Sequence, residues 1–528
     1  MPTSGIFRGL TPYFVYLLLI ATLGPLLFGY HLAELNAPAE VITCVKKGVA
    51  PSTLTKLASL LKPTKEETSG CGLPQCIPMN PTQFGLITSF FTLGGLFGAL
   101  SAGPITTAYG RLRSMELASL FASLGPIFEA LAPNIGAMAI GRLISGLGAG
   151  AATVIVPIYI SEIAPPGKKG FFGSFTQVMT NFGILIAQVL GLFLSRGQLW
   201  RVILGVGGAI ALVQMAGLWL GGQESPRWMV EQDKPSRAKK ILRLIRGPHA
   251  DIEDEISAWG ISEDGARDLD DEEEALLANE DRLQNSHPAE DGNAVDSNTN
   301  AAQPKKDSSR KPSPGFFAVL RDPNHRPAVL AVAMIMIAQQ FTGINSIVMY
   351  GVSLLSSLLA ANSALLNVFV ALLNVIVTTT AAPLIDIIGR KLCLLISIGG
   401  MGTSSLLLAF GIIHSLPILS AVAVLAFVAS FGLGLGPVPF LLASELAAPE
   451  AVGVTQSWAL AANWIATFVV AQFFPVLNAA MGKGNVYFLF AGMAALFGCL
   501  VAWRVPETKG KNSVDEIWGR AKPVARVD

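Results

Sequence analysis

Residues 339 to 350, QQFTGINSIVMY, set Gln339, Gln340, Thr342, Asn345 and Ser346 inside an apolar segment running from about Pro327 to Leu359. These side chains offer amide and hydroxyl hydrogen bonds without introducing an ion. In hydrocarbon such groups are costly unless they face a bundle interior or a water-filled cavity, so the cluster reads as a ligand path. Neutral amides in a wet cavity suit a neutral polyhydroxyl ligand better than an anion or a cation. On a helix, Gln339 and Asn345 lie within about 120° of each other, and Gly343 lets the backbone open between them. The competing role for the same amides is to bond neighbouring helices.

Further polar residues stand on apolar backgrounds elsewhere: Gln177, Asn181 and Gln188, then Asn374, then Gln456, Asn463 and Trp464. Amides beside an aromatic face can hydrogen-bond a ring and cover its apolar side. The stretch FGYHLAELNAP, residues 28 to 38, places His31 and Glu34 near membrane depth. Either side chain could exchange a proton, or both could cap the helix in a wet vestibule. Charged residues gather at two turns, with Gly110, Arg111 and Arg113 at one and Asp386, Gly389, Arg390 and Lys391 at the other; Glu162 and Glu445 end two further segments. Ion pairs among these could close a gate, although the basic residues also serve as plain orientation anchors.

The elements that hold these groups follow from composition. Of the 528 residues, 52% are hydrophobic and 14% charged, which describes a polytopic membrane protein. Twelve spans are expected, at 13–33, 84–106, 114–133, 138–160, 173–194, 200–220, 327–356, 363–385, 392–412, 416–443, 452–476 and 485–503. The fold class is therefore an all-α membrane protein of two six-helix halves. The first half covers 1–220, with a long loop at 37–83, and the second covers 327–503. A linker (221–326) joins them, and 504–528 form a tail. Basic residues beside the spans put both termini in the cytosol. The linker holds a basic amphipathic helix at 234–246 and a segment at 250–314 that reads as disordered. Residues 251–300 carry seventeen acidic side chains against Arg267 and Arg282, a local charge of −15 that leaves +16 on the rest of a chain whose formal charge is +1. Cys393 and Cys499 fall in spans and read as packing residues. Cys44, Cys71 and Cys76 share the first loop, where a disulfide is permitted but its pairing is open.

The chain also repeats itself. Gly110-Arg111 recurs as Gly389-Arg390, Ser161-Glu162 as Ser444-Glu445, and Glu224 of QESPR as Glu507 of PETKG, at offsets of 279, 283 and 283. Parallel halves around a midplane site are a transporter plan.

In this order, FGYHLAELNAP, PIYISEIAP, GILIAQVLGL, QESPR, QQFTGIN and VPETKG resemble the sugar porter family of the major facilitator superfamily, with fungal members of the vacuolar membrane among the nearest in character. The resemblance implies a twelve-helix fold with the sugar between the halves, held by Gln177, Gln339, Gln340, Asn345 and Asn374, with Trp464 beneath the ring; the residue chemistry adds Asn463, next to Trp464, as a sugar contact. It further implies a cytosolic charge network on Arg111, Arg142, Glu162, Glu224, Arg227, Asp386, Arg390, Glu445 and Glu507. The chain departs from the family pattern at Gly432 and Phe440, where an acidic residue and a Trp are usual, at Thr467 in place of an Asn, and at Thr107 and Ala108. His31 replaces the Asp of proton-coupled members.

The expected activity is carriage of a hexose-type sugar by alternating access, with uniport favoured over proton symport. A non-transporting sugar sensor and a carrier for a polyol, inositol or quinate are the alternatives. No enzyme activity, cofactor, metal or nucleic-acid partner is expected. The partners are a small sugar, the lipid bilayer and possible coupling protons, in a plasma or vacuolar membrane.

Overall fold

The computed structural model describes residues 10–45, 73–248, 250–257, 316–359, 363–448, 451–482, 484–511 and 514–520, without the side chains of 357–359, 382 and 383. Cys71, most of the acidic block and nearly all of 250–314 lie outside them. Among the described residues the protein is helical throughout. The first half comprises α1 (Pro12–Ala33), α2 (Pro81–Tyr109), α3 (Arg111–Ala130), α4 (Ile135–Ile163), α5 (Lys169–Leu194) and α6 (Trp200–Gly221). Then come α7 (Pro226–Glu231) and α8 (Pro235–Arg246). The second half comprises α9 (Arg326–Phe341), α10 (Ile344–Leu359), α11 (Ser363–Ile388), α12 (Arg390–Ile413), α13 (Pro417–Leu433), α14 (Val438–Glu445), α15 (Val452–Met481) and α16 (Val486–Arg504). Short helical turns lie at Ala39–Ile42, Glu253–Ser257, Ala318–Arg321 and Val514–Ile517.

Local chemistry sets these boundaries. Asn80 accepts from the backbone of Gln83 at 2.8 Å while the Gln83 side chain accepts from the backbone of Asn80 at 2.9 Å. With Pro81 at the first helical position, this reciprocal cap starts α2. The two Gly-Arg turns are conformational twins: Gly110 has φ 89° and Gly389 has φ 105°, values that only glycine adopts readily. The duplication read from residue order thus extends to the backbone.

Two spans are broken. The segment Arg326–Ser356 is interrupted after Phe341, where Gly343 has φ 99°, and Pro417–Glu445 is interrupted between Leu433 and Val438. Irregular backbone at membrane depth persists only where it is buried in protein or lines a cavity.

Among the described residues, eleven helical segments are long and apolar enough to cross a membrane. The twelfth expected span, 114–133, is α3, whose Arg111, Arg113, Glu116 and Glu129 lower its apolarity. It packs between α4 and α6. The halves meet where α2 packs on α15 and α5 on α11, so Val15–Gln223 and Pro314–Asp528 form one compact unit.

The described parts of 1–14 and 224–313 form a smaller unit. There the apolar face of α8, with Ala238, Ile241, Leu242 and Ile245, is buried, and Leu242 packs on Ile252 and Ile256. The apolar stripe of this basic helix is thus covered by protein. Cys44 and Cys76 form a disulfide, which resolves the pairing left open by spacing. Cys393 is buried as expected, but Cys499 faces outward on α16, because it falls on the face of that helix away from the bundle.

Candidate functional site

The break in the α13–α14 span leaves backbone carbonyls without helical partners, and the amides of α9 answer them. Gln339 Nε2 donates to the Leu435 carbonyl at 2.6 Å. Its Oε1 accepts from Gln340 Nε2 at 3.1 Å and from Asn463 Nδ2 at 2.6 Å. Gln340 Oε1 in turn accepts from Asn345 Nδ2 at 2.5 Å. One connected amide network therefore joins both sides of the Gly343 break, α15 and the second broken span. Its members Gln339, Gln340 and Asn345 are each about 95% buried.

A second network crosses between the halves. Asn181 of α5 donates to Thr378 Oγ1 at 2.9 Å and accepts from Asn374 Nδ2 of α11 at 3.2 Å, while Thr378 donates to Asn374 at 3.2 Å. Gln177 joins by donating to Asn181 at 3.3 Å. A small cavity beside it is bounded by Ile184 and Gln188 of α5, Ile347 and Val348 of α10, and Asn367 and Asn374 of α11. The buried Gln188 Oε1 has no hydrogen-bond partner. A Cβ built on Gly432 would stand 3.4 Å from Asn374 Oδ1, so the acidic side chain expected there from the resemblance would have entered this same network. The Trp464 ring is buried edge-on against Phe28 and Phe91, at centroid distances of 5.5 and 6.2 Å, and so carries an aromatic contact from α15 into the first half.

His31 and Glu34 belong to a buried ionic cluster. Arg142 Nη1 donates to Glu34 Oε1 at 2.5 Å, and Nη2 donates to the His31 carbonyl at 2.9 Å. His31 Nδ1 lies 3.0 Å from Glu34 Oε1. Glu129 Oε2 is 3.7 Å from Arg142 Nη1, and Glu129 Oε1 accepts from Ser145 at 2.5 Å. All four residues are no more than 1% exposed. Arg142 thus stands in this cluster and not among the turn charges where the resemblance had put it, because it lies in the second turn of α4 while Glu162 ends that helix. Glu129 escaped the sequence reading altogether. Its only signal was a carboxylate within the apolar run of 114–133.

The turn charges pair within each half. Arg111 grips Glu162 with both Nε and Nη2, at 2.9 and 2.8 Å. Arg390 Nη2 meets Asp386 at 3.0 Å and Glu445 at 3.1 Å. Glu507 accepts from the backbone of Arg390 at 2.9 Å and Lys391 at 3.1 Å, which caps the start of α12. Burial pushes its carboxyl upward, but backbone N–H groups of Lys509, Arg390, Lys391 and Thr508 outweigh that and hold it below the ordinary value. Among the described residues, Arg227 pairs along its own helix, with Glu231 at 3.7 Å. Glu224 accepts from the backbone of Ser225 at 2.8 Å.

Broken helices, a duplicated six-helix half and buried amides between the halves define a membrane carrier. The chain belongs to the sugar (and other) transporter family, whose sequence profile matches residues 17–268 and 271–518. Among its relatives, a probable metabolite transport protein of Saccharomyces cerevisiae is 34% identical over 501 residues, covering 95% of this chain and 94% of that one. The vacuolar protein sorting-associated protein 73 of the same yeast is 29% identical, covering 95% of each. Facilitated glucose transporter member 2 of Sus scrofa is 27% identical, covering 96% of this chain and 94% of its own. In fold, the chain is similar to the partially occluded inward open xylose transporter XylE from E. coli, with a TM-score of 0.68 at 24% identity, over 95% of this chain and 100% of that one. The protein is a multi-pass membrane transporter of the sugar family.

Proposed function

We propose that the protein carries a hexose-type sugar across its membrane by alternating access, binding it with neutral amides drawn from both halves. The observation that carries this reading is the bond pair linking Asn181 of α5 to Thr378 and Asn374 of α11. Amides that already bond one another across the interface can exchange those bonds for sugar hydroxyls without leaving a buried group unpaired. Gln177 and Gln188 would contact the sugar from the first half, and Gln339, Gln340, Asn345, Asn374 and Asn463 from the second. Trp464 would cover an apolar ring face from the seam. The names of the glucose and xylose transporters among the relatives favour a monosaccharide.

In this scheme the termini are cytosolic, no bond of the sugar is made or broken, and the membrane is vacuolar or plasma. Arg111–Glu162 and Arg390–Glu445 brace the turn ends of each half as the halves rock. Gly432 and Phe440 remove polar and aromatic contacts from one side of the sugar, which supports a polyol as the second reading.

A binding screen of the purified protein against hexoses, pentoses and polyols tests the proposal. A hexose is expected to bind most tightly and to be displaced by other hexoses. Saturable binding of a polyol with no hexose binding would overturn the substrate class. Binding of a hexose with no flux in liposomes would leave a sensor.

A further inference from the structure

We propose that the basic face of α8 is the docking surface for the acidic stretch 263–281 of the same chain, held there by ion pairs. The proposal concerns the linker alone and does not depend on which solute is carried.

The helix presents its charge on one side. Residues 234–246 hold six basic side chains and no acidic one. Ala238, Ile241, Leu242 and Ile245 turn inward. Arg237, Lys240 and Arg243 stand exposed at intervals of three residues, which places them along one side of the helix. Arg246, at the rim, is matched: its Nε and Nη2 donate to the two carboxylate oxygens of Glu255 at 2.8 and 2.9 Å. Among the described residues, no ion pair reaches Arg237, Lys240 or Arg243. Like charges so close on one helix repel one another, and an anionic partner along the row relieves that repulsion.

The chain supplies such a partner close by. The helical turn Glu253–Ser257 is fastened to α8 through Ile252 and Ile256 on Leu242, and through Glu255 on Arg246. Six residues beyond Ser257 the acidic stretch begins, outside the described residues. Residues 263–281 carry ten Asp or Glu against Arg267, and six of the seven residues at 268–274 are acidic. Six extended residues reach about 20 Å and a twelve-residue helix is about 18 Å long, so the stretch can lie along the whole basic face without moving its anchor. A tether this short keeps the two charged partners at an effective concentration of about a millimolar.

An anionic bilayer surface would attract the same basic row. It would also repel the acidic stretch tethered beside that row, which gives the pairing within the chain the electrostatic advantage. Single exposed ion pairs are weak and screened by salt. The contact therefore draws on several pairs at once, and salt releases it.

The test uses the full-length protein. In detergent, a water-soluble carbodiimide joins neighbouring carboxylates and amines, and mass spectrometry of the digest locates the links. Links from Lys239 or Lys240 to residues 263–281 of the same chain are expected at low salt. They should fall about fivefold in 1 M NaCl, where the screening length is about 3 Å. Acetylation by N-hydroxysuccinimidyl acetate gives a second readout, with Lys169 as the reference. Lys239 and Lys240 should react several-fold faster when Asp270→Asn, Asp271→Asn, Glu272→Gln, Glu273→Gln and Glu274→Gln are combined, and high salt should abolish the difference. Links that run chiefly to other lysines, or that come only from dimers, overturn the proposal, as does acetylation unchanged by the five substitutions. Slower acetylation of both lysines in phosphatidylserine liposomes than in phosphatidylcholine liposomes, equal in wild type and variant, assigns the face to the bilayer and likewise overturns it.

Discussion

The two halves of this duplicated protein have filled their interiors with different chemistry. The second half breaks two of its spans and lines the breaks with neutral amides, Gln339, Gln340, Asn345 and Asn463. The first half keeps its spans whole and buries an arginine between two carboxylates. Amides can trade partners with a ligand at little net change, because each bond lost to a neighbour is replaced. Buried ions cannot, because separating Arg142 from Glu34 leaves both charges uncompensated. The repeated fold therefore offers a soft polar surface on one side and a hard charge balance on the other.

The largest expected effect comes from breaking the charge balance. Arg142→Met leaves two carboxylates buried without a cation, and should destabilise the protein by about 3 to 5 kcal/mol, read as a large fall in melting temperature or loss of folded protein. The triple variant Arg142→Met, Glu34→Gln, Glu129→Gln should recover most of that loss, since well-packed neutral residues replace buried ions at little cost. Next in size, Gln339→Ala or Asn345→Ala should weaken sugar binding by about 1 to 3 kcal/mol, measured by titration of the purified protein. A smaller effect is expected from Arg227→Ala: its pair with Glu231 is 46% and 36% exposed, and the change in melting free energy should stay within about 1 kcal/mol. If Arg227→Ala proved as damaging as Arg142→Met, the contrast between buried and exposed charge would be lost.

Much of this was legible in the residue order. Apolar runs located the spans, the Gly-Arg, Ser-Glu and Glu-Thr or Glu-Ser markers exposed the duplication, and isolated amides marked the polar seam. Gly343 announced one helix break. The second break, at Gly434 to Pro437, went unread because GLGLGP lies in a run otherwise apolar enough for an unbroken helix. The ionic cluster was half legible. His31 and Glu34 stood out in FGYHLAELNAP, but their partners come from α3 and α4, more than ninety residues away, and local pattern carries no register between helices. Arg142 was misplaced for the same reason. A basic residue near a helix end looks alike in a one-dimensional reading whether it faces a turn or the core.

The central claim is that amides of both halves hold one sugar. The direct measurement is the affinity of the purified protein for D-glucose in Asn181→Ala and in Gln339→Ala, with melting temperature recorded on the same samples. The account predicts weaker binding in both variants, with D-glucose raising the melting temperature of the wild type more than that of either. Unchanged affinity in both, accompanied by lowered melting temperatures, would show that these amides only fasten helices together, and would contradict it.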